Sequence, residues 1–556
     1  MTRPTGLSPQ HRAALGRATL GDQLRRHGAN QPDKVAFVVA NADGSRRSIS
    51  YSDLDRMANR AARMLLGLGV SRGDRVAVLS RNRIETVATY YGALKIGAVF
   101  TGVNPLFGPA EIRQQLLHAE PGVLCTSGEF VSTVTKAAAG LQLHRVSFDG
   151  PASDETSEGD ETSGGDETSG GTGWSGFAEL TAAVPDTDPE SAVDELDVAM
   201  LVYTSGTEAT PKGVLIQHRN YLISTAPAWS WGLRTGPDDV WLFVMPFHTI
   251  AGLGSMTTLT MMGATLVLPA TTDPAGSLAI IRDEKVTVIA QTPTFYLALA
   301  GHPGFGAATV GSVVRCMTYG GQVSPHAVGA WAAAAPDVVW GTYWGQSELS
   351  QLGSVGWFRT LADIPDQDAT WIGKPVTHLE IQVVGDDGQP AEIGELLCRS
   401  PSAMLGYYKD PERTERVFAG GWVHTGDMVR RDREGNLFFY DRVKDMVKTG
   451  GLNVSSQEVE RVLHQHPDVL RAAVVGLPDE YWSEAVTAFV IAQPGTDVQA
   501  MDLIAFCREH LAAYKAPKAV HLVDEFPVDA QGKILKRELR LVAIPGREPA
   551  LALKSP

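Results

Sequence analysis

Apolar residues in this chain alternate between helical spacing and short continuous runs, and this alternation limits the possible folds more than any other feature. Ser52 or Asp53 is a candidate cap for a helix whose apolar residues recur with helical spacing as far as Leu68, and Gly69 provides a stop. The alternation then continues through the segments 75–80, 85–96, 97–102, 264–268, 278–282 and 287–290. It predicts α/β layers with largely parallel sheets.

Beyond about residue 441 the pattern changes to a small mixed region. Helical spacing at 456–464 and 501–512 flanks strand patterns at 471–475 and 485–492. The chain has 556 residues, which is too long for one hydrophobic core, because single cores stop growing near about 250–300 residues. We therefore expect a large amino-terminal part followed by a separate α+β domain.

The net charge comes largely from one repetitive segment. The chain has 48 Lys+Arg and 63 Asp+Glu, a formal charge of −15, which excludes a polybasic protein that coats DNA. Residues 152–173 contain the repeats DETSEG, DETSGG and DETSGG, and they carry seven of the acids, so the rest of the chain carries −8. We expect a disordered, solvated surface loop rather than a docking tail, because residues 154–173 carry no apolar side chain and such a run cannot offset its ordering entropy. The composition indicates no nucleic-acid partner.

Cysteines are too few and too scattered for a metal or redox site. Cys125, Cys316, Cys398 and Cys507 form no CxxC pair and suggest no disulfide framework. The first residues lack the continuous apolar core of a signal peptide. The most apolar window, 251–270, is broken by glycines and threonines, and we interpret it as a buried helix followed by a strand. We expect a cytoplasmic protein without a membrane span.

The segment 203–214, YTSGTEATPKGV, has the composition of a phosphate-binding loop and follows the apolar run 198–202 directly. Hydroxyls, backbone amides near glycine and a lysine can all bind phosphate oxygens. The segment lacks the GxxxxGK[ST] pattern of the common P-loop, and taken alone it also fits an ordinary turn rich in serine and threonine. The candidate phosphate ligands are Thr204, Ser205, Gly206, Thr207 and Lys212.

Further motifs flank and follow this loop in a fixed order. They are MPFH at 245–248, YGGQ at 319–322, YWGQSE at 343–348, GWVHTGD at 421–427, DRVKD at 441–445, GGLNV at 450–454 and GK at 532–533. With the stretch 52–106 and the phosphate loop, they cover nearly the whole chain, and an ordered series is far more specific than any one motif. The series resembles the adenylate-forming superfamily of acyl-CoA synthetases, peptide-synthetase adenylation domains and luciferases, and in particular its acyl-CoA ligases.

The resemblance implies both a fold and an activity. The fold is a large amino-terminal domain of several subdomains with layered, mostly parallel sheets, 1–440, then a hinge at 441–445 and a small mobile α+β domain, 446–556. The activity is that of an AMP-forming acid–thiol ligase, which converts a carboxylic acid to its CoA thioester through an acyl-adenylate. The implied cofactors are ATP/AMP, Mg²⁺ and coenzyme A, and a homodimer is a further hypothesis.

Three residues match catalytic positions of the family. Glu348 matches the carboxylate that holds Mg²⁺ against the triphosphate, and hard oxygen ligands suit that ion. Lys533 matches the mobile lysine that stabilises the charge developing during adenylation. His248 matches the aromatic gate between the acyl pocket and the CoA channel.

Other matched positions would bind the substrates or allow domain rotation. Lys444 occupies the hinge position, and Lys448, Gly450 and Gly451 match the lining of the CoA channel. The nucleotide-binding positions, beyond those of the phosphate loop, are Gly320, Gly321, Gln322, Trp344, Gly345, Ser347, Asp427 and Arg442. Trp344 and the backbone at 320–322 match the adenine slot, Asp427 matches the carboxylate that binds the ribose hydroxyls, and Arg442 matches a second ribose or phosphate contact. The acyl-pocket positions, besides His248 and Gly321, are Gly252, Gly254, Gln291, Thr292, Pro293, Tyr319 and Leu349.

The pocket positions favour a hydrophobic acid over an amino acid. They include no arginine and no acidic pair that could bind a charged side chain or an amino group, and Gly252 and Gly254 are expected to leave room for something bulky. Aliphatic, aromatic and polycyclic terpenoid acids all fit this pattern. A role in fatty-acid or natural-product metabolism follows as an expectation.

Two positions of the phosphate loop depart from the family pattern. Glu208 and Ala209 stand where a hydroxyl residue followed by glycine is typical. A carboxylate about 5 Å from a phosphate charge, at an effective dielectric constant of about 20, would be repelled by about 3 kcal/mol. One alternative is therefore a weakly adenylating ligase that performs mainly the thioester step on a supplied acyl-AMP. A stand-alone adenylation enzyme that loads a carrier protein, a luciferase-like oxygenase and a nucleotide-sensing module are further alternatives.

Overall fold

The structure is a computed structural model that describes residues 18–41, 44–151, 173–204, 212–319, 323–368, 370–385, 387–449, 452–479, 481–528 and 534–542. All of the acidic segment predicted to be disordered, except Gly173, lies outside these ranges. The described residues form two compact units. The first contains the described parts of 18–380 together with 399–418, and the second contains 381–398 and the described parts of 419–542.

The strands and helices are numbered here in chain order. The strands are β1 Val35–Ala40, β2 Arg46–Ser50, β3 Arg75–Leu79, β4 Val99–Gly102, β5 Pro121–Thr126, β6 His144–Ser147, β7 Ser175–Gly176, β8 Val198–Thr204, β9 Lys212–Gln217, β10 Val240–Leu242, β11 Thr265–Leu268, β12 Val288–Gln291, β13 Arg315–Thr318, β14 Val339–Trp344, β15 Ser354–Phe358, β16 Trp371–Pro375, β17 Glu380–Val384, β18 Ile393–Arg399, β19 Gly406–Tyr407, β20 Val423–Arg431, β21 Leu437–Arg442, β22 Val447–Thr449, β23 Leu452–Val454, β24 Val469–Asp479, β25 Ser483–Ala492 and β26 Ala519–Leu522. The helices are α1 Leu20–Asn30, α2 Tyr51–Gly67, α3 Ile84–Lys95, α4 Pro109–Ala119, α5 Val131–Ala137, α6 Phe177–Ala182, α7 His218–Asn220, α8 Ile250–Met262, α9 Pro274–Asp283, α10 Pro293–Ala300, α11 Ala307–Val310, α12 Pro325–Ala334, α13 Pro411–Val417, α14 Ser456–Leu463, α15 Ala500–His510 and α16 Lys536–Val542.

The first unit is built on two large sheets. One has the strand order β16-β15-β14-β13-β12-β10-β11-β1-β2, and it is parallel from β14 to β1 with antiparallel strands at both ends. The other has the order β19-β9-β8-β4-β3-β5-β6-β7, and it is parallel except at β9 and β19. The predicted α/β architecture with largely parallel sheets is confirmed. The antiparallel strands lie at the sheet edges.

Helix α2 begins one turn earlier than its sequence pattern predicts. Ser50 is the cap, because its Oγ accepts a hydrogen bond from the Asp53 backbone N–H at 3.0 Å, while Asp53 Oδ2 accepts from Ser50 Oγ at 2.9 Å. The predicted caps, Ser52 and Asp53, are therefore wrong, and both lie inside the helix. The predicted stop is confirmed, since Gly69 directly follows the capping residue Leu68 and has a φ of +82°.

The most apolar window forms a buried helix followed by a strand, as predicted. Helix α8 carries several buried threonines, and their hydroxyls donate hydrogen bonds to carbonyls one turn back in the same helix, as Thr257 does to Leu253 at 2.7 Å. This back-bonding satisfies polar groups that would otherwise be costly to bury. Within the ranges described, no helix is both long and apolar enough to cross a membrane.

The second unit contains two smaller sheets. One is antiparallel with the order β17-β18-β20-β21. The other has the order β23-β22-β25-β24, with β26 parallel to β25, and α14 and α15 contribute apolar side chains to the core beside it. This arrangement confirms the predicted α+β region. The proposed hinge, 441–445, lies within this unit, and the boundary at residue 440 stays a prediction.

The cap of α2 can be tested with a matched pair of serines. Replacing Ser50 with alanine should lower the local opening free energy of α2 by about 1 kcal/mol, because two capping hydrogen bonds are lost. Replacing Ser52, whose hydroxyl contacts only the exposed Arg56 side chain, should change it little. Hydrogen–deuterium exchange of the peptide that covers the first turns of α2 measures both effects. Equal protection in both variants would contradict the assignment of Ser50 as the cap.

Candidate active site

Four neighbouring strands of the first sheet end at the same edge. β14, β13, β12 and β10 are adjacent and parallel, and their register places Gln291 beside Thr318. Because the carboxyl ends of parallel strands meet at one edge, residues that follow these strands are brought together, and such an edge is the usual ligand site of open α/β sheets. The predicted site residues that follow these strands are His248, Thr292, Pro293, Tyr319, Gly345, Ser347, Glu348 and Leu349.

Gln291 links the ends of β12 and β13. Its Oε1 accepts hydrogen bonds from the backbone N–H of Thr292 at 2.7 Å and from Tyr319 Oη at 3.4 Å. The Tyr319 ring contacts the Tyr343 ring with a centroid separation of 5.7 Å, and burial raises the pKa of Tyr319 to about 12. This part of the site therefore consists of uncharged side chains.

The turn after β14 holds Glu348, and Trp344, a predicted adenine-binding residue, is the last residue of that strand. Gly345 is required there, because a Cβ atom at this position would clash with the Gln351 carbonyl group. The Trp344 ring packs closely on Gly353, where a side chain would likewise clash. Ser347 and Leu349 are buried, whereas Glu348 is half-buried. Backbone packing thus fixes the path of the turn that carries the predicted magnesium ligand.

His248 is half-buried, and both of its ring nitrogens are buried. Burial lowers its pKa to about 4, and neither ring nitrogen hydrogen-bonds to a described residue. Asn82, at the end of β3, holds the preceding loop in place: its side-chain amide donates to the Met245 carbonyl at 2.8 Å, and its Oδ1 accepts from the Phe247 N–H at 2.9 Å. The backbone of His248 also packs on Gly102, where any side chain would meet it.

Gly252 and Gly254 do not leave the open space expected of them. A Cβ atom at Gly252 would clash with the Pro246 carbonyl, and one at Gly254 would clash with the Tyr221 hydroxyl. The space beside both glycines is filled by the protein, and the missing side chains allow α8 to pack closely on its neighbours. The expectation that these glycines make room for a bulky acid is therefore corrected. Their membership of the acyl pocket stays a prediction.

The phosphate loop is described only at its two ends. Thr204 at the end of β8 pairs with Lys212 at the start of β9 in an antiparallel register. The residue before Thr204 in β8, Tyr203, is hydrogen-bonded through its Oη to His118 Nδ1 at 2.7 Å. The other predicted ligands of the loop lie outside the described residues, as do Glu208 and Ala209.

The second unit holds the predicted ribose ligands. Asp427 on β20 and Arg442 on β21 are cross-strand partners, and Arg442 Nε lies 2.7 Å from Asp427 Oδ1. Asp427 is fully buried, and a buried carboxylate is tolerated when it is paired with a cation. The Arg442 guanidinium therefore fixes the orientation of the Asp427 carboxylate.

The predicted hinge and CoA-channel residues are partly described. The Lys444 carbonyl accepts a hydrogen bond from Arg540 Nη2 at 3.3 Å, and Arg540 also pairs with Asp445 at 3.0 Å. The Lys444 and Lys448 side chains are exposed. Several predicted site residues lie outside the described ranges. They are Gly320, Gly321 and Gln322 of the adenine slot, Gly450 and Gly451 of the CoA channel, and the catalytic Lys533.

Two residues near the site are absent from the motif-based prediction. Asn82 positions the loop that precedes His248, and Tyr407 donates a hydrogen bond from Oη to Glu348 Oε1 at 2.8 Å. The sequence could have indicated Asn82, because it is a polar residue close after the strand pattern at 75–80. No local pattern indicates the contact of Tyr407, because it joins residues far apart in the chain.

The Glu348 carboxylate fits a magnesium ion that is shared with a triphosphate. Oε1 is oriented by Tyr407, whereas Oε2 makes no hydrogen bond with any described residue. In the described part of the chain, no group of three or more His, Cys, Asp or Glu could hold a metal ion by itself. Mg²⁺ is usually bound by one or two carboxylates together with substrate phosphates, and a single oriented carboxylate meets that requirement.

Comparison with known proteins establishes the family. The AMP-binding enzyme model matches residues 24–408, and the AMP-binding enzyme C-terminal domain model matches residues 458–533. The first match alone spans more than half of the chain. The protein therefore belongs to the AMP-binding enzyme family, the adenylate-forming superfamily that its motifs resemble.

Similar proteins act on different acids. A long-chain-fatty-acid–CoA ligase from Bacillus subtilis is 29% identical over 574 residues, which cover 95% of each chain. A feruloyl-CoA synthase from an Amycolatopsis species is 32% identical over 504 residues, 89% of this chain and 94% of the relative. The solved structure of an anthranilate CoA ligase in complex with anthranoyl-AMP is 28% identical with a TM-score of 0.79, covering 96% of this chain and 98% of its own. The protein is accordingly an AMP-forming acid–thiol ligase.

The uncharged state of His248 can be measured directly. In protein labelled with ¹⁵N-histidine, the His248 ring signals, assigned by their loss in His248→Phe, should not titrate between about pH 5.5 and 8, because burial disfavours the charged form. A short unstructured peptide that contains histidine, measured under the same conditions, provides the reference midpoint near about pH 6.5. A midpoint at or above that value for His248 would show that its ring is solvated.

Proposed function

We propose that this ligase converts a hydrophobic carboxylic acid to its CoA thioester through an acyl-adenylate. The observation that carries the proposal is the edge of the first sheet, where His248, Tyr319 and Glu348 follow three of the four neighbouring parallel strands β10, β12, β13 and β14. The same edge thus carries uncharged side chains, which suit an apolar acid. It also carries the oriented Glu348 carboxylate, which suits a metal–triphosphate.

Adenylation requires charge stabilisation on the phosphates. The substrate carboxylate attacks the α-phosphorus of ATP, the α–β bridging bond breaks, and pyrophosphate leaves with its electron pair. Mg²⁺ held by Glu348 would neutralise charge on the triphosphate. Lys533 and the phosphate loop would stabilise the negative charge that develops on the α-phosphate oxygens, and Asp427 with Arg442 would bind the ribose.

Thioester formation requires a different set of groups. The CoA thiol attacks the acyl carbonyl carbon, the thiol proton is lost, and AMP leaves. We assign His248 as the gate at the reacting carbonyl, because its ring, whose nitrogens are buried, carries no charge into an apolar pocket. Rotation about Lys444 would withdraw Lys533 and bring the CoA-channel residues Lys448, Gly450 and Gly451 to the acyl-adenylate.

A hydrophobic acid agrees with the described pocket positions. Gln291, Thr292, Pro293, Tyr319 and Leu349 carry no charge, and Gln291 already accepts two internal hydrogen bonds. A charged substrate group placed there would be desolvated without an ionic partner, which is costly. The relatives that act on long-chain and aromatic acids support the same substrate class.

A paired assay tests the proposal. ATP–pyrophosphate exchange and CoA-thioester formation are measured separately over long-chain, arylpropenoic and polycyclic acids, with amino acids as the contrasting class. We expect exchange and thioester formation with at least one hydrophobic acid and neither with amino acids. Exchange that depends only on amino acids, or thioester formed only on a carrier protein, would overturn the proposal.

The second candidate function, thioester formation on a supplied acyl-AMP, is favoured by Glu208 and Ala209. If adenylation is impaired, supplied acyl-AMP gives thioester while acid plus ATP gives almost none. The double variant Glu208→Thr, Ala209→Gly should then raise pyrophosphate exchange by about tenfold or more, as expected for removing a repulsion of a few kcal/mol. Strong exchange in the unaltered enzyme would eliminate this candidate.

The two catalytic steps should separate in hinge and lysine variants. Lys444→Pro should slow thioester formation from supplied acyl-AMP at least about tenfold more than pyrophosphate exchange, because proline fixes φ at a residue that must rotate. Lys444→Ala, which keeps the backbone free, should affect neither step strongly. Lys533→Ala should show the reverse pattern, with exchange lost. Equal losses of both steps in Lys444→Pro would count against the hinge.

Two features of the protein beyond its chemistry are also proposed. We place it in the cytoplasm, where ATP and CoA are available, and a homodimer is the assembly we expect. Neither feature enters the assignments of residues above.

A further inference from the structure

One short segment contacts both the strand that follows the phosphate loop and the turn that carries Glu348. This strap, residues 400–408, adds β19 to the edge of β9, with Gly406 paired with Leu215 and Tyr407 paired with Val214. The Tyr408 N–H also donates to the Gly213 carbonyl at 2.8 Å. The strap is therefore attached to the strand that begins with Lys212, at the end of the phosphate loop.

The same strap holds the turn that carries Glu348. The Met404 N–H donates to the Glu348 carbonyl at 2.9 Å, and Ser350 Oγ donates to the Ser402 carbonyl at 2.7 Å. The third contact is between side chains, from Tyr407 Oη to Glu348 Oε1 at 2.8 Å. Two hydrogen bonds to backbone groups of the strap fix the turn, and the tyrosine fixes the carboxylate itself.

Tyr407 is rigid enough to act as a positioning group. Its side chain is 8% exposed, its backbone N–H donates to Thr414 Oγ1 at 2.9 Å, and the Arg413 guanidinium lies 5.8 Å from the ring centroid. A flexible glutamate side chain loses rotamer freedom when it binds a metal. A fixed donor on Oε1 removes part of that cost in advance, and Oε2 makes no hydrogen bond with a described residue.

We propose that Tyr407 is a positioning residue that orients Glu348 for the metal–triphosphate. It acts through Glu348, and the strap that carries it is attached to both the Glu348 turn and β9. This inference rests on the proposed function, since it requires magnesium-dependent ATP binding. Groups that orient metal ligands typically contribute about tenfold or more to metal affinity.

The test compares two adjacent tyrosines in the full chain. ATP affinity is measured by calorimetry without acid, once with Mg²⁺ and once with EDTA, in the unaltered enzyme, Tyr407→Phe and Tyr408→Phe. Tyr408 packs its ring on His118 but makes no hydrogen bond through its hydroxyl with a described residue, so it is the matched control. We expect Tyr407→Phe to reduce the gain in ATP affinity from Mg²⁺ about tenfold and to leave the affinity in EDTA unchanged.

Two further measurements separate orientation from general damage. Thioester formation from supplied acyl-AMP, which needs no triphosphate, should be unchanged in Tyr407→Phe. In a Glu348→Gln background, Tyr407→Phe should have no additional effect on the gain from Mg²⁺. If Tyr407→Phe left the gain in ATP affinity from Mg²⁺ unchanged, or reduced thioester formation as much as that gain, the role of Tyr407 would be overturned while the proposed function would stand. If the unaltered enzyme showed no magnesium gain, the proposed function would fail and this inference with it.

Discussion

The parallel register of β10, β12, β13 and β14 brings the proposed site residues to one edge of the first sheet. The register aligns the ends of these four neighbouring strands, so that residues separated by a hundred positions in the chain follow the same edge, with His248 after β10 and Glu348 after β14. Reversal of one strand would move its contribution to the opposite edge. The antiparallel strands lie at the ends of this sheet and do not interrupt the edge.

Close backbone packing then limits how the turns at this edge can be arranged. Gly345 and Gly102 each occupy positions where a Cβ atom would meet the neighbouring chain, and Asn82 holds the loop before His248 through two hydrogen bonds. The charged part of the site is treated differently, because the Glu348 carboxylate is held by a side chain from the strap rather than by the backbone. The uncharged side chains at this edge and the Glu348 carboxylate are thus positioned by separate means.

The sequence predicts local structure and motif identity well, and it predicts contacts between distant segments poorly. The helix in the window 251–270 and the α+β region after 441 follow from periodicity, and the family follows from ordered motifs. The sequence pattern does not identify the cap of α2, because Ser50, Ser52 and Asp53 all have side chains that can cap a helix. The position where β2 ends, at Ser50, decides among them. Gly252 and Gly254 were misinterpreted because a glycine indicates missing volume without showing what fills it. Tyr407 could not be found from a local pattern, since its partner is 59 residues away.

Calorimetry can establish whether one site of this protein binds both a nucleotide and a hydrophobic acyl group. The two ligands to compare are AMP and a non-hydrolysable acyl-adenylate, an acyl-sulfamoyl adenosine with a hydrophobic acyl chain. We expect one site per chain and an affinity for the acyl analogue at least about a hundredfold above that for AMP, as for analogues of a bound intermediate. Equal affinities for the acyl analogue and AMP would instead show that no acyl pocket adjoins the nucleotide site.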